Sequence, residues 1–303
     1  LPVQQADFEE LFRAMPGLPV TIRLIDPPLH EFLPTEVAAR EELAQARLQG
    51  ADQETVCRLE ELLARVQQLS ESNPMLGLRG CRLGIVSPEI IVMQIRAILQ
   101  AALRVDAVGI TVLPEIMVPL VACVEEVRFL RKVIEGTAAD VFRQEGRRIG
   151  YRVGVMIEVP RATACADEIA REVDFMSFGT NDLTQLTFGF SRDDAHKYLD
   201  TYLELGILKH DPFLTIDCDG VGSLIRSAIR KARIANPRIK IGVCGEHGGD
   251  PASIAFFEEI GVDYVSCSPA RLPIAQLSAA HTSIARQPIA VQQEKVPTGM
   301  RLV

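Results

Sequence analysis

The feature that most constrains the fold of this chain is an alternation of short apolar runs with longer amphipathic segments. Such alternation is typical of parallel β-strands joined by crossover helices. Residues 107–112 also have a strand-like composition, but Pro114 and a better run follow at once. We therefore predict seven strands, at residues 19–25, 76–78, 116–119, 151–157, 173–178, 239–243 and 262–266.

The segments between these runs predict helices. Residues 88–103 and 121–142 place their apolar side chains at helical spacing, and Asp250-Pro251 supplies an N-cap and a first-turn proline for a helix that Gly261 ends. Alternation over about 280 residues favours an α/β fold of the (β/α)8 TIM-barrel type over a doubly wound sheet. Seven strands are one short of closure, so either one strand is missed or the chain starts after the first strand.

Residues 35–72 interrupt the alternation, because they are rich in Glu, Gln, Arg, Ala and regularly spaced Leu. This composition predicts a helical hairpin inserted in a strand-to-helix loop, on the catalytic face of a barrel. The hairpin could be a lid or docking surface, or a solvated insert with packing roles only. We interpret residues 1–303 as one domain, with a loosely ordered tail from about 287 to 303.

Composition excludes several classes of function. The net charge is −8, Trp is absent, and no Lys/Arg run is interleaved with aromatic residues, which disfavours nucleic-acid binding. No apolar run reaches membrane-spanning length and no signal-peptide pattern occurs. Seven Cys with no CxxC pair disfavour a disulfide framework and predict a reducing, cytosol-like compartment. The start at LPVQQ, without Met, suggests an excised domain or a processed fragment.

Two carboxylates stand at predicted strand ends. Glu158 follows a buried apolar run, where a charge is costly unless it is paired or bound to a metal, and Asp182 follows the next run. The alternatives are a salt bridge or helix N-terminal charge for Glu158, and simple helix capping for Asp182. Two carboxylates with few other ligands suit Mg²⁺, which keeps waters and shares substrate oxygens.

Anion-binding groups surround these carboxylates in the predicted fold. Gly179, Thr180 and Asn181 precede a helix, where exposed N–H groups can hold an anion, although the same residues also form ordinary turns. Arg23 ends a strand and Arg79 lies in GLRGCR. Arginine binds carboxylate or phosphate with two hydrogen bonds, but a structural ion pair is the commoner role for any single Arg.

Two cysteines follow apolar runs, whereas the other five have no strand-end context and are assigned to packing. Cys267 lies between two Ser at the last strand end and is the candidate for chemistry. Cys244 lies in VCGEHGGD, a loop with Glu246 and His247 that we interpret as a lid or support.

Several long motifs, in order, resemble the phosphoenolpyruvate (PEP)-utilising enzymes, and two of them narrow the match to one branch of that family. The resemblance extends from the N-terminus to about residue 285. The motifs are TIRLIDPPLHEFLP (21–34), NPMLGLRGCRL (73–83), MIEVPRA (156–162), SFGTNDLTQLTFGFSRDD (177–194), CGEHGGDP (244–251) and YVSCSPARLPIA (264–275).

The resemblance implies a (β/α)8 barrel that binds pyruvate or PEP with Mg²⁺, in a homodimeric cytoplasmic or plastid enzyme. A phosphohistidine on a separate swivelling domain would donate its phosphoryl group to the enolate of pyruvate. The motifs imply that Glu158 and Asp182 hold the metal, that Cys267 transfers the methyl proton, and that the substrate contacts Arg23, Arg79, Glu158, Gly179, Thr180, Asn181 and Asp182.

The chain departs from the family pattern at three points. The family has a further substrate arginine on its first barrel strand, upstream of LPVQQ; no phosphohistidine motif occurs here; and Leu78 stands where a His is expected. A binding and dimerisation module without turnover is therefore also compatible with the sequence. So are the activity of another branch of the family and, more distantly, a metal-dependent aldolase or lyase on the same barrel.

Overall fold

Six parallel strands form one sheet in the computed structural model, which describes residues 1–27, 29–71 and 73–286. The strands are hydrogen-bonded in the order in which they occur along the chain, so each crossover returns the chain to the neighbouring position. Their bounds are β1 Pro19–Arg23, β2 Leu113–Val118, β3 Arg152–Ile157, β4 Phe175–Gly179, β5 Lys240–Cys244 and β6 Tyr264–Val265.

The sheet is curled, consistent with a partial TIM-type barrel. β1 pairs with β2 and β6 pairs with β5, and no pairing joins β1 to β6 within the part of the chain that the structure describes. The predicted α/β class and the parallel crossover pattern are confirmed. The strand count is six, because one of the seven predicted runs does not form a strand.

The predicted strand at 76–78 is wrong. Residues Pro74–Leu76 form a 3₁₀ turn, in which Leu76 N donates to Asn73 O and Gly77 N donates to Pro74 O. Pro74 at the start of this turn fixes φ in the helical range. The apolar composition of so short a run does not distinguish such a turn from a strand. The strand-like composition of 107–112 also misleads, because a helix continues to Ala107 and a turn follows it before β2 begins.

Helices cover the outer face of the sheet, and the apolar spacing predicted for two of them is confirmed. The largest core cluster lies between the sheet and these helices, while a smaller cluster of Met117, Met156 and Phe175 lies separately, packed against Cys244. The helices are α1 Pro2–Ala14, α2 Glu36–Leu48, α3 Gln53–Leu69, α4 Gly80–Val86, α5 Pro88–Ala107, α6 Val124–Glu145, α7 Pro160–Ala164, α8 Ala166–Ala170, α9 Thr180–Phe188, α10 Leu199–Glu204, α11 Val221–Ala235, α12 Pro251–Glu259 and α13 Leu272–Arg286.

The helical hairpin predicted at 35–72 is confirmed as α2 and α3, between β1 and α4. Each helix begins at a capping side chain: Thr35 Oγ1 accepts from Ala38 N at 3.2 Å, and Asp52 Oδ1 accepts from Thr55 N at 2.7 Å. The predicted cap of α12 is also confirmed, since Asp250 accepts from Ser253 N. The tail predicted from 287 onwards lies outside the described residues.

A buried ion pair lies at the opposite end of the strands from their carboxyl termini. Glu115 on β2 is 1% exposed, and both of its carboxylate oxygens lie 2.9 Å from Lys240 Nζ on β5. Thr21 Oγ1 on β1 donates to the same carboxylate at 2.7 Å. This pair joins three strands and gives Glu115 the partners that a buried charge requires.

Among the described residues, no single helix has the length and apolar character needed to cross a membrane. One sharply bent pair, α4 with α5, meets that test only when the two helices are taken together.

Candidate active site

A cavity of about 410 Å³ opens at the carboxyl ends of the strands. Parallel strands end at the same edge of a sheet, so the polar residues that follow the buried runs meet there. Six of the eight predicted site residues line this cavity. The full lining is Arg23, Asp26, Arg79, Met117, Met156, Glu158, Gly179, Asn181, Asp182, Arg192, Cys244 and Gly245.

One buried carboxylate holds both predicted arginines. Asp26 is 3% exposed, and its Oδ2 accepts from Arg79 Nη2 at 2.5 Å and from Arg23 Nη1 at 2.8 Å. Arg79 Nε also lies 3.3 Å from Asp26 Oδ1. Burial opposes the charge of Arg79, but the hydrogen bond and charge of Asp26 raise the pKa of its guanidinium. Two guanidinium groups therefore share this one carboxylate.

Glu158, at the end of β3, is a buried carboxylate without a cationic partner in the described part of the chain. It is 2% exposed, and Oε1 accepts one hydrogen bond, from Leu120 N at 2.7 Å. Burial, followed by the neighbouring charges of Asp182 and Asp26, raises the pKa of Glu158 to about 8. A carboxylate in this state is stabilised by a cation placed between it and the neighbouring acids.

The start of α9 brings three predicted residues to the cavity. Asp182 lies 3.4 Å from Arg79 through Oδ2 and Nη2, and Asn181 Oδ1 accepts from Glu246 N at 3.1 Å. Gly179 lines the cavity where a Cβ atom would lie 2.4 Å from Glu158 Oε2, so a side chain there would displace the carboxylate.

The Thr180 side chain does not line the cavity. The residue is fully buried, and its hydroxyl lies 3.0 Å from Cys244 O and 2.7 Å from His247 Nδ1. A contact of Thr180 with a ligand in the cavity would therefore be made by the backbone at the helix start and not by the hydroxyl.

The two strand-end cysteines occupy different places. Cys244, the last residue of β5, lines the cavity and packs beside Met117, Met156 and Phe175. Burial raises the pKa of its thiol to about 11, and the Glu158 charge acts in the same direction. Cys267 lies two residues beyond β6 and is not among the residues that line the cavity.

The sequence predicted no binding role for six of the lining residues, and three of these six have ionisable side chains: Asp26, Arg192 and Cys244. Asp26 directly follows a buried run, as Glu158 does, and this signal could have identified it. Arg192 follows α9 in an irregular segment, where no periodicity points to the cavity. Leu78, the departure from the family pattern, is half-buried outside the lining, and its N–H donates to Glu71 Oε1 at 2.7 Å.

Comparisons with known proteins agree with the motifs. The family model described as PEP-utilising enzyme, PEP-binding domain, matches residues 2–284. The chain is 57% identical over 286 residues to the chloroplastic pyruvate, phosphate dikinase of Flaveria bidentis, and 54% identical over 287 residues to pyruvate, phosphate dikinase 2 of Zea mays. Each alignment covers 94% of this chain, but only 29% and 32% of those proteins, respectively.

A solved citrate lyase from Burkholderia xenovorans LB400 superposes with a TM-score of 0.44 at 15% identity, over 88% of this chain and 78% of that one. This likeness is too distant to carry an argument. The family match covers nearly the whole chain, and it agrees with the resemblance that the motifs predicted. The chain therefore belongs to the PEP-utilising enzymes, matches their PEP-binding domain, and is a homologue of pyruvate, phosphate dikinase.

Proposed function

We propose that the cavity at the strand ends binds pyruvate or PEP and is the place where the two are interconverted. The observation that carries this proposal is the convergence of Arg23, Arg79 and Arg192 with the carboxylates of Glu158 and Asp182 around one cavity. The arginines suit the carboxylate and phosphoryl oxygens of PEP. We further infer that the six strands belong to an eight-stranded barrel of the family type.

Mg²⁺ fits the carboxylates of this cavity. Glu158 is buried, accepts one backbone hydrogen bond, and has Asp182 as its neighbour, so a hard cation would offset the repulsion between the two acids. The described residues contain no cluster of three or more His, Cys, Asp or Glu side chains suited to a metal, which leaves the remaining ligands to water and substrate oxygens. When bound, the cation would stabilise negative charge on the enolate oxygen.

The arginines would stabilise the same negative charge on the enolate oxygen. Arg79 is held by Asp26 in a buried position, so it requires little reorganisation when charge develops on the substrate. Preorganised charges of this kind typically contribute several kcal/mol to a reaction. Arg192 is half-exposed at the cavity, where it could contact the phosphoryl group as it enters.

A thiol in the cavity would transfer the proton. In the direction of pyruvate, the C3 carbon of the enolate takes a proton from the thiol and leaves a thiolate; in the direction of PEP, the thiolate removes a methyl proton and the enolate oxygen attacks phosphorus. We assign this role to Cys244, because it lines the cavity; its raised pKa favours donation of the proton in the direction of pyruvate only. The sequence-based assignment to Cys267 remains an untested prediction.

The rest of the reaction belongs to the complete protein, because the chain spans about a third or less of the length of its curated relatives. A phosphohistidine on a separate domain would give up its phosphoryl group to the enolate oxygen, with cleavage of the phosphorus–nitrogen bond. The overall reaction would convert ATP, phosphate and pyruvate into AMP, diphosphate and PEP. A homodimeric assembly, and a plastid or cytosolic location, are part of this proposal.

Solvent-deuterium exchange into the methyl group of pyruvate tests the proposal. In the complete protein with Mg²⁺, Cys244→Ala should lower the exchange rate by at least about 100-fold, the usual effect of removing a general acid–base group. Cys267 is the matched thiol outside the cavity. The Cys267→Ala variant should catalyse the deuterium exchange at close to the wild-type rate. The opposite pattern would assign the proton transfer to Cys267, and no exchange in the wild-type protein would refute the proposed function.

A further inference from the structure

A buried hydrogen-bond chain lies behind the candidate site. His247 is fully buried in the short turn after β5, and its Nε2 lies 2.9 Å from Pro212 O. Its Nδ1 lies 2.7 Å from Thr180 Oγ1, which in turn lies 3.0 Å from Cys244 O. The chain therefore joins the segment before α11, the first residue of α9 and the last residue of β5.

The chemistry of these groups determines the tautomer of His247. A carbonyl oxygen only accepts hydrogen bonds, so the contact with Pro212 O requires a hydrogen on Nε2. Burial lowers the pKa of His247, which keeps the ring neutral with a single N–H. Nδ1 is then an acceptor that receives the hydroxyl hydrogen of Thr180. Cys244 O also accepts from this hydroxyl, so Nδ1 and Cys244 O share its single hydrogen in a three-centre hydrogen bond.

The turn after β5 also holds the start of α9 by a second contact. Glu246 N donates to Asn181 Oδ1 at 3.1 Å. Gly245 has φ +111°, and a Cβ atom there would lie 2.7 Å from Thr180 Oγ1 and 3.0 Å from Asn181 Oδ1, so only glycine allows this approach. The two contacts fix the helix start, which carries the substrate-binding residues, against the strand end that carries Cys244.

We infer that His247 is a positioning residue: by accepting the Thr180 hydroxyl at Nδ1 while donating from Nε2 to Pro212, it sets the place of the Cys244 thiol relative to Asn181. The inference rests on the proposed function, because it concerns the geometry of the proposed proton transfer. His247 itself is buried behind the cavity and contacts no substrate.

Thr180→Val tests the inference, since it removes the hydroxyl and keeps the shape of the side chain. In the complete protein we expect the turnover number for methyl-proton exchange to fall by about 10-fold to 100-fold, because a small misplacement of a reacting group has effects of this size. The KM for pyruvate should change by less than about twofold, because ground-state binding is not altered. Thr180→Ser should restore exchange.

Thr184→Val is the matched control. Thr184 lies one turn further along α9, is fully buried, and its hydroxyl has no hydrogen-bond partner in the described part of the chain. The exchange rate of the Thr184→Val variant should equal that of the wild type. Equal rates in Thr180→Val and Thr184→Val would overturn the positioning role.

Nitrogen NMR of the His247 ring gives a readout that a general loss of stability does not mimic. We expect a protonated Nε2 and a bare, hydrogen-bonded Nδ1 in the wild type at pH 7, and loss of the Nδ1 hydrogen-bond shift in Thr180→Val. A protonated Nδ1 with a bare Nε2 would overturn the inference. Absence of exchange in the wild type would instead overturn the proposed function and the positioning role with it, whereas exchange that is unaffected by Thr180→Val overturns the positioning role alone.

Discussion

The metal-free chain should lose stability as the pH rises, because Glu158 is buried among other acids. Its folded pKa of about 8 lies above the ordinary value of 4.5, so the folded state holds this proton more tightly than the unfolded state does. The resulting stabilisation is fully present below pH 4.5 and is lost as the pH rises through 8. At 1.36 kcal/mol per pKa unit, about 2 kcal/mol should disappear between pH 6 and pH 8.

Glu158→Gln removes the ionisable group and keeps its shape. In EDTA, we expect the free energy of unfolding of this variant to exceed that of the wild type by roughly 2 to 4 kcal/mol at pH 8, with a smaller difference at pH 6. Urea unfolding at both pH values measures the difference. Mg²⁺ should reverse the order of stability at pH 8, so that the wild type becomes more stable than Glu158→Gln. The reason is that the cation stabilises the ionised carboxylate of the wild type.

Glu115→Gln is the matched control, since Glu115 is an equally buried carboxylate but is paired with Lys240. Removing it leaves a half-buried ammonium without its partner, so the variant should be less stable than the wild type by about 3 kcal/mol at both pH values. The reasoning about Glu158 is refuted if Glu158→Gln is also destabilising at pH 8 in EDTA, or if its difference from the wild type does not vary with pH.

Two further substitutions test the arrangement of the cavity. Asp26→Asn should lower the free energy of unfolding by roughly 3 kcal/mol in urea, because it leaves the buried guanidinium of Arg79 without its carboxylate; an unchanged midpoint would contradict this. Gly179→Ala should weaken Mg²⁺-dependent PEP binding by at least about tenfold in calorimetry, because the added methyl group would displace Glu158. Undiminished binding would show that the carboxylate is not needed where it stands.

The strand ends were the part of the site that the sequence could predict. A buried apolar run followed by a polar residue marks the point where a parallel strand leaves the sheet, and Arg23, Glu158 and Asp182 were all found in this way. The same logic brings Gly179 and Asn181 to the cavity, because Gly179 ends β4 and Asn181 lies in the first turn of α9. These predictions depended only on the local sequence and on the common edge at which parallel strands end.

The remaining features depend on contacts between distant parts of the chain. The buried run before Asp26 could have marked this residue, but its contact with Arg79, 53 residues away, could not be predicted from a local pattern. Cys244 and Cys267 both follow apolar runs, but β6 has only two residues, so Cys267 lies beyond the strand end. The run at 76–78 is apolar enough for a strand, yet it is too short to distinguish from the turn that Pro74 begins.

The central claim is that Glu158 and Asp182 hold a cation that binds pyruvate or PEP in this cavity. Calorimetric titration of the chain with PEP, in Mg²⁺ and in EDTA, tests it most directly. We predict binding in Mg²⁺, little or none in EDTA, and a loss of at least about tenfold in affinity for Asp182→Asn in Mg²⁺. Equal PEP affinity in Mg²⁺ and in EDTA, with Asp182→Asn indistinguishable from the wild type, would contradict the claim.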